Sequence, residues 1–182
     1  MKPISIYADG ACSGNQNSSN IGGWGAVLEY DGRQKELFGG EADTTNNRME
    51  MTALLAALRA IKKEKQLVRV FSDSAYLMDC FRKEWHLKWR QNGWITSNRS
   101  PVENRDLWEQ LLSFLDAHSF RFYRVKGHVS LKKGEAALQP VYAKFLAWNG
   151  TGFSFEDFLY ITEMNIRADA LANCGIDQIR NA

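Results

Sequence analysis

Ile4-Ser5-Ile6-Tyr7-Ala8-Asp9-Gly10 decides how this chain is read. Apolar side chains at Ile4, Ile6 and Ala8 recur at a period of two, which predicts a strand over residues 3–9 with one face buried. The run ends on an acid, and glycine follows at once. A carboxylate at the end of a buried strand is costly unless something answers its charge. Three other acids sit in comparable places. Glu50 shares a helix face with Ala53 and Leu54 on a predicted helix over residues 47–64. Asp73 closes the strand-like run Leu67 to Phe71, just before a predicted helix over 74–83. Asp169 lies among Ala168, Ala170 and Ala172. Carboxylates brought together repel, and burial makes the charged form costlier still. A hard divalent cation relieves both problems, because carboxylate oxygens are its preferred ligands. If the four acids converge, they predict a metal-dependent enzyme acting on phosphate.

Each acid also has an ordinary explanation. Asp9 fits a turn. Glu50 fits a favourable charge near a helix N-terminus. Asp73 fits a helix cap. Asp169 fits a surface ion pair with Arg167 or Arg180, which would stabilise little. Four ordinary explanations holding at once is the less economical reading.

Working outward, residues 10–23 are rich in Gly, Ser and Asn and read as a loop. Strands are predicted near 23–30 and 34–40, with Asp31-Gly32 between them favouring a tight hairpin. Thr44, Thr45 or Asn46 caps the helix that carries Glu50. After a strand at 67–72 and a helix at 74–83 comes a Trp-rich segment, 84–95. A helix near 104–117, a strand at 119–125 and a terminal helix near 164–174 complete the pattern. The fold class is therefore α/β, a mixed five-stranded sheet flanked by helices in βββαβαβα order. Residues 129–163 carry seven aromatics, three Lys, three Glu and one Asp. Two short helices are predicted there, about 134–148 and 154–161, the second capped by Ser154-Phe155-Glu156-Asp157.

The bulk numbers exclude more than they assign. A chain of 182 residues with 45% hydrophobic and 24% charged residues suits one globular domain. A net charge of +2 does not by itself imply nucleic acid. Three scattered cysteines argue against a disulfide framework or zinc site and for a reducing, cytoplasmic setting. No signal peptide and no apolar run of membrane length are present.

The stretches Tyr7-Ala-Asp-Gly-Ala-Cys-Ser-Gly-Asn15, Thr44-Thr-Asn-Asn-Arg-Met-Glu50, Ser72-Asp-Ser-Ala-Tyr76, Val125-Lys-Gly-His128 and Asn165-Ile-Arg-Ala-Asp-Ala-Leu-Ala172 occur in this order. Together they closely resemble bacterial type 1 ribonuclease H, over about residues 3–128 and 164–175. The resemblance implies that Asp9, Glu50, Asp73 and Asp169 hold two Mg²⁺ ions, with Mn²⁺ as a substitute. It implies endonucleolytic hydrolysis of the RNA strand of an RNA–DNA hybrid, leaving 5′-phosphate and 3′-hydroxyl ends. His128 matches the family's auxiliary histidine, which assists proton handling or product release. Cys12, Ser13, Gly14, Asn15, Asn46 and Asn47, together with Glu50, match positions that read the RNA strand, whose 2′-hydroxyls distinguish it from DNA. Thr45 and Asn15 match phosphate contacts. Residues Phe81 to Asp106 resemble the family's basic protrusion, with six basic against three acidic residues. There Lys88, Trp85 and Trp89 are the expected DNA-strand contacts, with one or two of Trp85, Trp89 and Trp94 packing inward.

Two features depart from the pattern. About residues 130–162 stand where the family has a short loop, as an aromatic insertion expected to fold as a small helical unit that restrains His128 or as plain decoration. Ala75 stands where the family often has a larger side chain. The expectation is a stand-alone, monomeric enzyme with no N-terminal hybrid-binding domain. A non-cleaving hybrid-binding protein, or a related nuclease acting on DNA, are the alternatives.

Overall fold

The computed structural model describes residues 1–14 and 20–182. Five strands form one mixed sheet: β1 (Ile4–Ser13), β2 (Ile21–Tyr30), β3 (Arg33–Ala42), β4 (Leu67–Ser72) and β5 (Ser119–Arg124). Their order across the sheet is β3-β2-β1-β4-β5. The first three strands pair antiparallel, while β4 runs parallel to both β1 and β5. The β2–β3 link is the expected tight turn, with Asp31 and Gly32 both at positive φ (50° and 76°).

Two boundaries differ from expectation. The helix expected over 47–64 spans Asn46–Arg59. Gly10 to Ser13 do not form a loop; they continue β1, paired with β2 as far as Ser13↔Ile21. Their small, polar composition reads as loop in isolation, but the antiparallel ladder with β2 overrides it. Asn15, expected to contact substrate, lies outside the described residues.

Alternation along the strands sends successive side chains to opposite faces, and both faces are covered. On one face Ile6, Ala8, Val68 and Val70 pack against Leu54, Leu58, Leu77, Trp108 and Leu111. These come from α1 (Asn46–Arg59), α2 (Ala75–Arg82) and α4 (Arg105–Ala117), with α3 (Trp85–Asn92) beside them. On the other face Tyr7, Val27, Phe71 and Val125 pack against Leu138, Phe145, Phe158 and Leu171. These come from α5 (Glu135–Asn149) and α6 (Phe155–Arg180). The aromatics of the segment between His128 and Asp169 thus form the centre of a second core rather than a patch beside the sheet.

The last helices also differ from expectation. The helices expected at 154–161 and 164–174 are one continuous helix, α6, of 26 residues. A capping box at Ser154 and Asp157 starts it, and no Gly or Pro interrupts it before Gly175. Thr162 and Asn165 are polar yet buried, and they break the apolar pattern at the point where two helices were expected.

Candidate metal centre

Three elements bring three acids to one point. In the parallel β1–β4 pair Tyr7 stands opposite Phe71, and two residues further along each chain lie Asp9 and Asp73. Glu50 comes from the second turn of α1, which presses against β1 where it carries Gly10. A Cβ at Gly10 would overlap the backbone of Met49 and Glu50, so only glycine permits this approach. Potential ligand oxygens of Asp9, Glu50 and Asp73 all lie within 4.8 Å of one another. Asp169, half-buried on α6, lines the same cavity but falls outside that tight group.

The ordinary explanations fail for three of the four acids. Ser74, not Asp73, caps α2, accepting a hydrogen bond from the Leu77 N–H at 3.1 Å. Thr45 caps α1, accepting from the Arg48 N–H at 3.2 Å, and Glu50 lies beyond the first turn, which holds no acid. Asp169 has no ion pair with Arg167 or Arg180; those two pair with Glu36 and Asp177.

The electrostatics are those of an unanswered negative site. Burial pushes Asp9 up to about 8, and the charges of Asp73 and Asp169 add to that, against hydrogen bonding from Glu50 and from the Gly10 N–H. Burial likewise raises Glu50 well above the usual carboxylate range, with the Asp9 and Asp73 charges acting in the same direction. Burial also raises Asp73, opposed by the neighbouring Asn165, Asp9 and His128 side chains. Glu50 is 7% exposed, and its Oε2 has no hydrogen-bond partner among the described residues. A buried carboxylate oxygen without a donor demands an explanation. An all-oxygen donor set fits a hard divalent cation and not a soft one.

The cavity measures about 440 Å³ and is lined by the four acids together with Gly10, Ala11, Cys12, Asn46, Gly127 and His128. His128 is exposed and held at φ 57°, in the left-handed region. Gly127 lets its segment reach the acids, since a Cβ there would come within 2.7 Å of Asp73 Oδ2. Gly10, Gly127 and Asn165 were not singled out from sequence as site residues. Asn165 did carry a signal, because it stands four residues before Asp169 on one helix.

The other expected contacts are spread wider. Ser13 Oγ accepts from Arg180 at 3.0 Å, Gly14 is exposed, and Asn47 is half-buried without lining the cavity. Lys88 is exposed on α3, outside the cavity lining. Trp85 and Trp89 are half-buried, with ring centres 6.4 Å apart, and Trp89 packs 5.7 Å from Trp108. Trp94, 7% exposed, is the one that packs fully inward. A larger, apolar cavity of about 540 Å³, lined by Leu28, Tyr30 and Ile61 among others, holds no acid cluster.

Acids brought together beside the central strands of a mixed α/β sheet, one from within β1, one just past β4 and two from helices, form a carboxylate cluster able to hold a metal of the kind that serves phosphoryl chemistry. The model of the RNase H family matches residues 1–139. Ribonuclease H of Moorella thermoacetica is 52% identical over 128 residues, covering 70% of this chain and 82% of that one. Ribonuclease H of Maricaulis maris is 47% identical over 137 residues, covering 75% of this chain and 89% of that one. Among solved structures, LC9-RNase H1, a type 1 RNase H with the type 2 active-site motif, aligns with a TM-score of 0.62 at 28% identity. That alignment covers 82% of this chain and 73% of the other. The chain belongs to the ribonuclease H family, and it is a metal-dependent endoribonuclease. Asp169 and all of α6 lie beyond the residues matched by the family model, so it is the fold that brings this acid to the site. Among the described residues no helix is long and apolar enough to cross a membrane.

Proposed function

We propose that this protein hydrolyses the RNA strand of RNA–DNA hybrids with a pair of divalent cations held by Asp9, Glu50, Asp73 and Asp169. Mg²⁺ is the natural choice, and Mn²⁺ an acceptable replacement. The observation that carries this reading is the meeting of two buried acids, Asp9 of β1 and Glu50 of α1, with the half-buried Asp73 just past β4, within 4.8 Å, one of the oxygens lacking a partner among the described residues. Bound cations supply the positive charge that stabilises in-line displacement at a phosphodiester, and they favour a hydroxide nucleophile at neutral pH.

The chain's own residues do the rest. Asp9 and Asp73 are set by the sheet, so their spacing is fixed before substrate arrives. His128 stands exposed at the rim beside Asp73, where it can carry a proton to the departing 3′-oxygen or assist release of the 5′-phosphate product. Cys12 and Asn46 line the cavity and face the strand being cut, within reach of its 2′-hydroxyls. Ser13, Gly14 and Asn47 extend that contact, with Thr45 on a phosphate. Lys88, Trp85 and Trp89 meet the DNA strand through charge and stacking. One copy of the chain carries all of these residues, which supports a monomeric active species, and its three scattered cysteines suit the cytoplasm.

The test uses RNA–DNA, RNA–RNA and DNA–DNA duplexes with Mg²⁺ or EDTA, and with Asp9→Asn beside the parent. Expected is cleavage of the hybrid alone, lost on chelation and in the variant. Cleavage of DNA–DNA, or hybrid binding without cleavage, contradicts the reading.

A further inference from the structure

β5 is an edge strand, and among the described residues no other strand pairs with its open side. Asn149, the last residue of α5, takes that place. Its Oδ1 accepts from the Arg124 N–H at 2.9 Å, and its Nδ2 donates to the Arg124 carbonyl at 2.8 Å. One side-chain amide thus satisfies both backbone groups of the last residue of β5, as a neighbouring strand would. Arg82 of α2 locks the arrangement from the far side. Its guanidinium donates to the Phe122 carbonyl at 2.9 Å, to the Trp148 carbonyl at 3.1 Å and to Asn149 Oδ1 at 2.7 Å. The Arg124 guanidinium lies 4.1 Å from the centre of the Trp148 ring.

The site begins just beyond this latch. Val125 donates to the Ser72 carbonyl at 3.0 Å, Gly127 lies against Asp73, and His128 follows in its left-handed conformation. Val129 and Leu131 then pack into the core that holds Leu138, Phe145 and Phe158. Helix α5 therefore fixes the histidine segment on both sides, through Asn149 before it and through the apolar core after it. A left-handed non-glycine residue persists only where its surroundings hold it.

We infer that Asn149 and Arg82 are positioning residues for His128, and that the segment between His128 and Asp169 has a catalytic purpose. The inference rests on the proposed role of His128. Releasing Arg124 leaves the end of β5 held only by Val125, through its hydrogen bond to Ser72 and its burial, so that the three residues from Lys126 to His128 can shift. A misplacement of about 1 Å in a reacting group can cost up to about 100-fold in rate. The cost belongs to turnover and not to hybrid binding, because neither residue lines the cavity.

The test is a double-mutant cycle in the full chain with Mg²⁺ and a hybrid, using His128→Ala, Asn149→Ala and the pair, with Arg82→Ala as a second break of the latch. Melting curves confirm that each variant is folded at the assay temperature. Expected is a fall in kcat of about tenfold for Asn149→Ala and for Arg82→Ala, with KM within about twofold. In the His128→Ala background Asn149→Ala should change kcat by less than about twofold, since the group it positions is gone. If His128→Ala slows turnover while Asn149→Ala and Arg82→Ala do not, or if their effects multiply with it, the latch is overturned and the role of His128 stands. If His128→Ala leaves turnover unchanged at all pH values, the role of His128 falls and the latch with it.

Discussion

Replacing Asp9 with asparagine should make the metal-free protein more stable while abolishing its activity. The substitution keeps the shape of the side chain and removes its charge. In the folded protein burial and the neighbouring acids move Asp9 from 3.8 to about 8. An acid raised by folding favours the folded state only while it stays protonated. Its contribution is fully present below about 3.8 and is lost as the pH climbs through about 8. At pH 8 and above the site is therefore a burden that only a cation relieves. Each tenfold displacement of a protonation equilibrium is about 1.4 kcal/mol, which sets a ceiling of several kcal/mol. Sharing of protons among Asp9, Glu50 and Asp73 brings the expected gain down to about 2 kcal/mol. For a chain of this size that is a rise in Tm of about 4–8 °C. The assay is a set of melting curves in EDTA from pH 5 to pH 9. The gap between Asp9→Asn and the parent should open as pH rises, close toward pH 5, and shrink when Mg²⁺ is added to the parent. A variant no more stable than the parent at pH 8 in EDTA would refute the claim that these acids repel one another in a buried site.

Other substitutions test other parts of the account. Asp169→Asn, outside the tight cluster but in the same cavity, should raise the Mg²⁺ concentration needed for half-maximal cleavage and lower kcat at least tenfold, both read in a metal titration of hybrid cleavage. Gly127→Ala should push its loop away from Asp73 and cut kcat about tenfold with little loss of Tm, which steady-state kinetics beside melting curves will show. Trp85→Ala should raise KM for the hybrid a few-fold at unchanged kcat, measured across a salt series. Phe145→Ala should destabilise the chain by about 3–5 kcal/mol in urea unfolding, since Phe145 is 1% exposed at the centre of the second core.

The most legible parts of the chain were those governed by local pattern. Alternation at Ile4, Ile6 and Ala8 and the Asp31-Gly32 turn place β1, β2 and β3. The apolar stripe of α1 puts Glu50 toward the sheet. What the sequence left open depended on long-range pairing. Gly10 to Ser13 look like loop residues until β2 pairs with them. Asp73 reads as the cap of its helix on paper, and only the Ser74–Leu77 hydrogen bond shows that Ser74 caps it and leaves Asp73 for the site. Thr162 and Asn165 disguised the continuity of α6 because buried polar residues break the apolar period. The side of the sheet on which Phe145 and Phe158 pack, and the pairing of Asn149 with β5, leave no local signature, because each is a contact between distant parts of the chain. The four acids were legible as a set because each is out of place for an ordinary surface acid.

Diffraction from crystals grown with Mn²⁺ and a non-cleavable RNA–DNA hybrid, recorded where manganese scatters anomalously, tests the central claim most directly. Anomalous peaks should fall between Asp9, Glu50, Asp73 and Asp169, about 2.1 Å from carboxylate oxygens and against the RNA backbone. A hybrid bound with no peak at these acids, or with the metal held elsewhere on the chain, would contradict it.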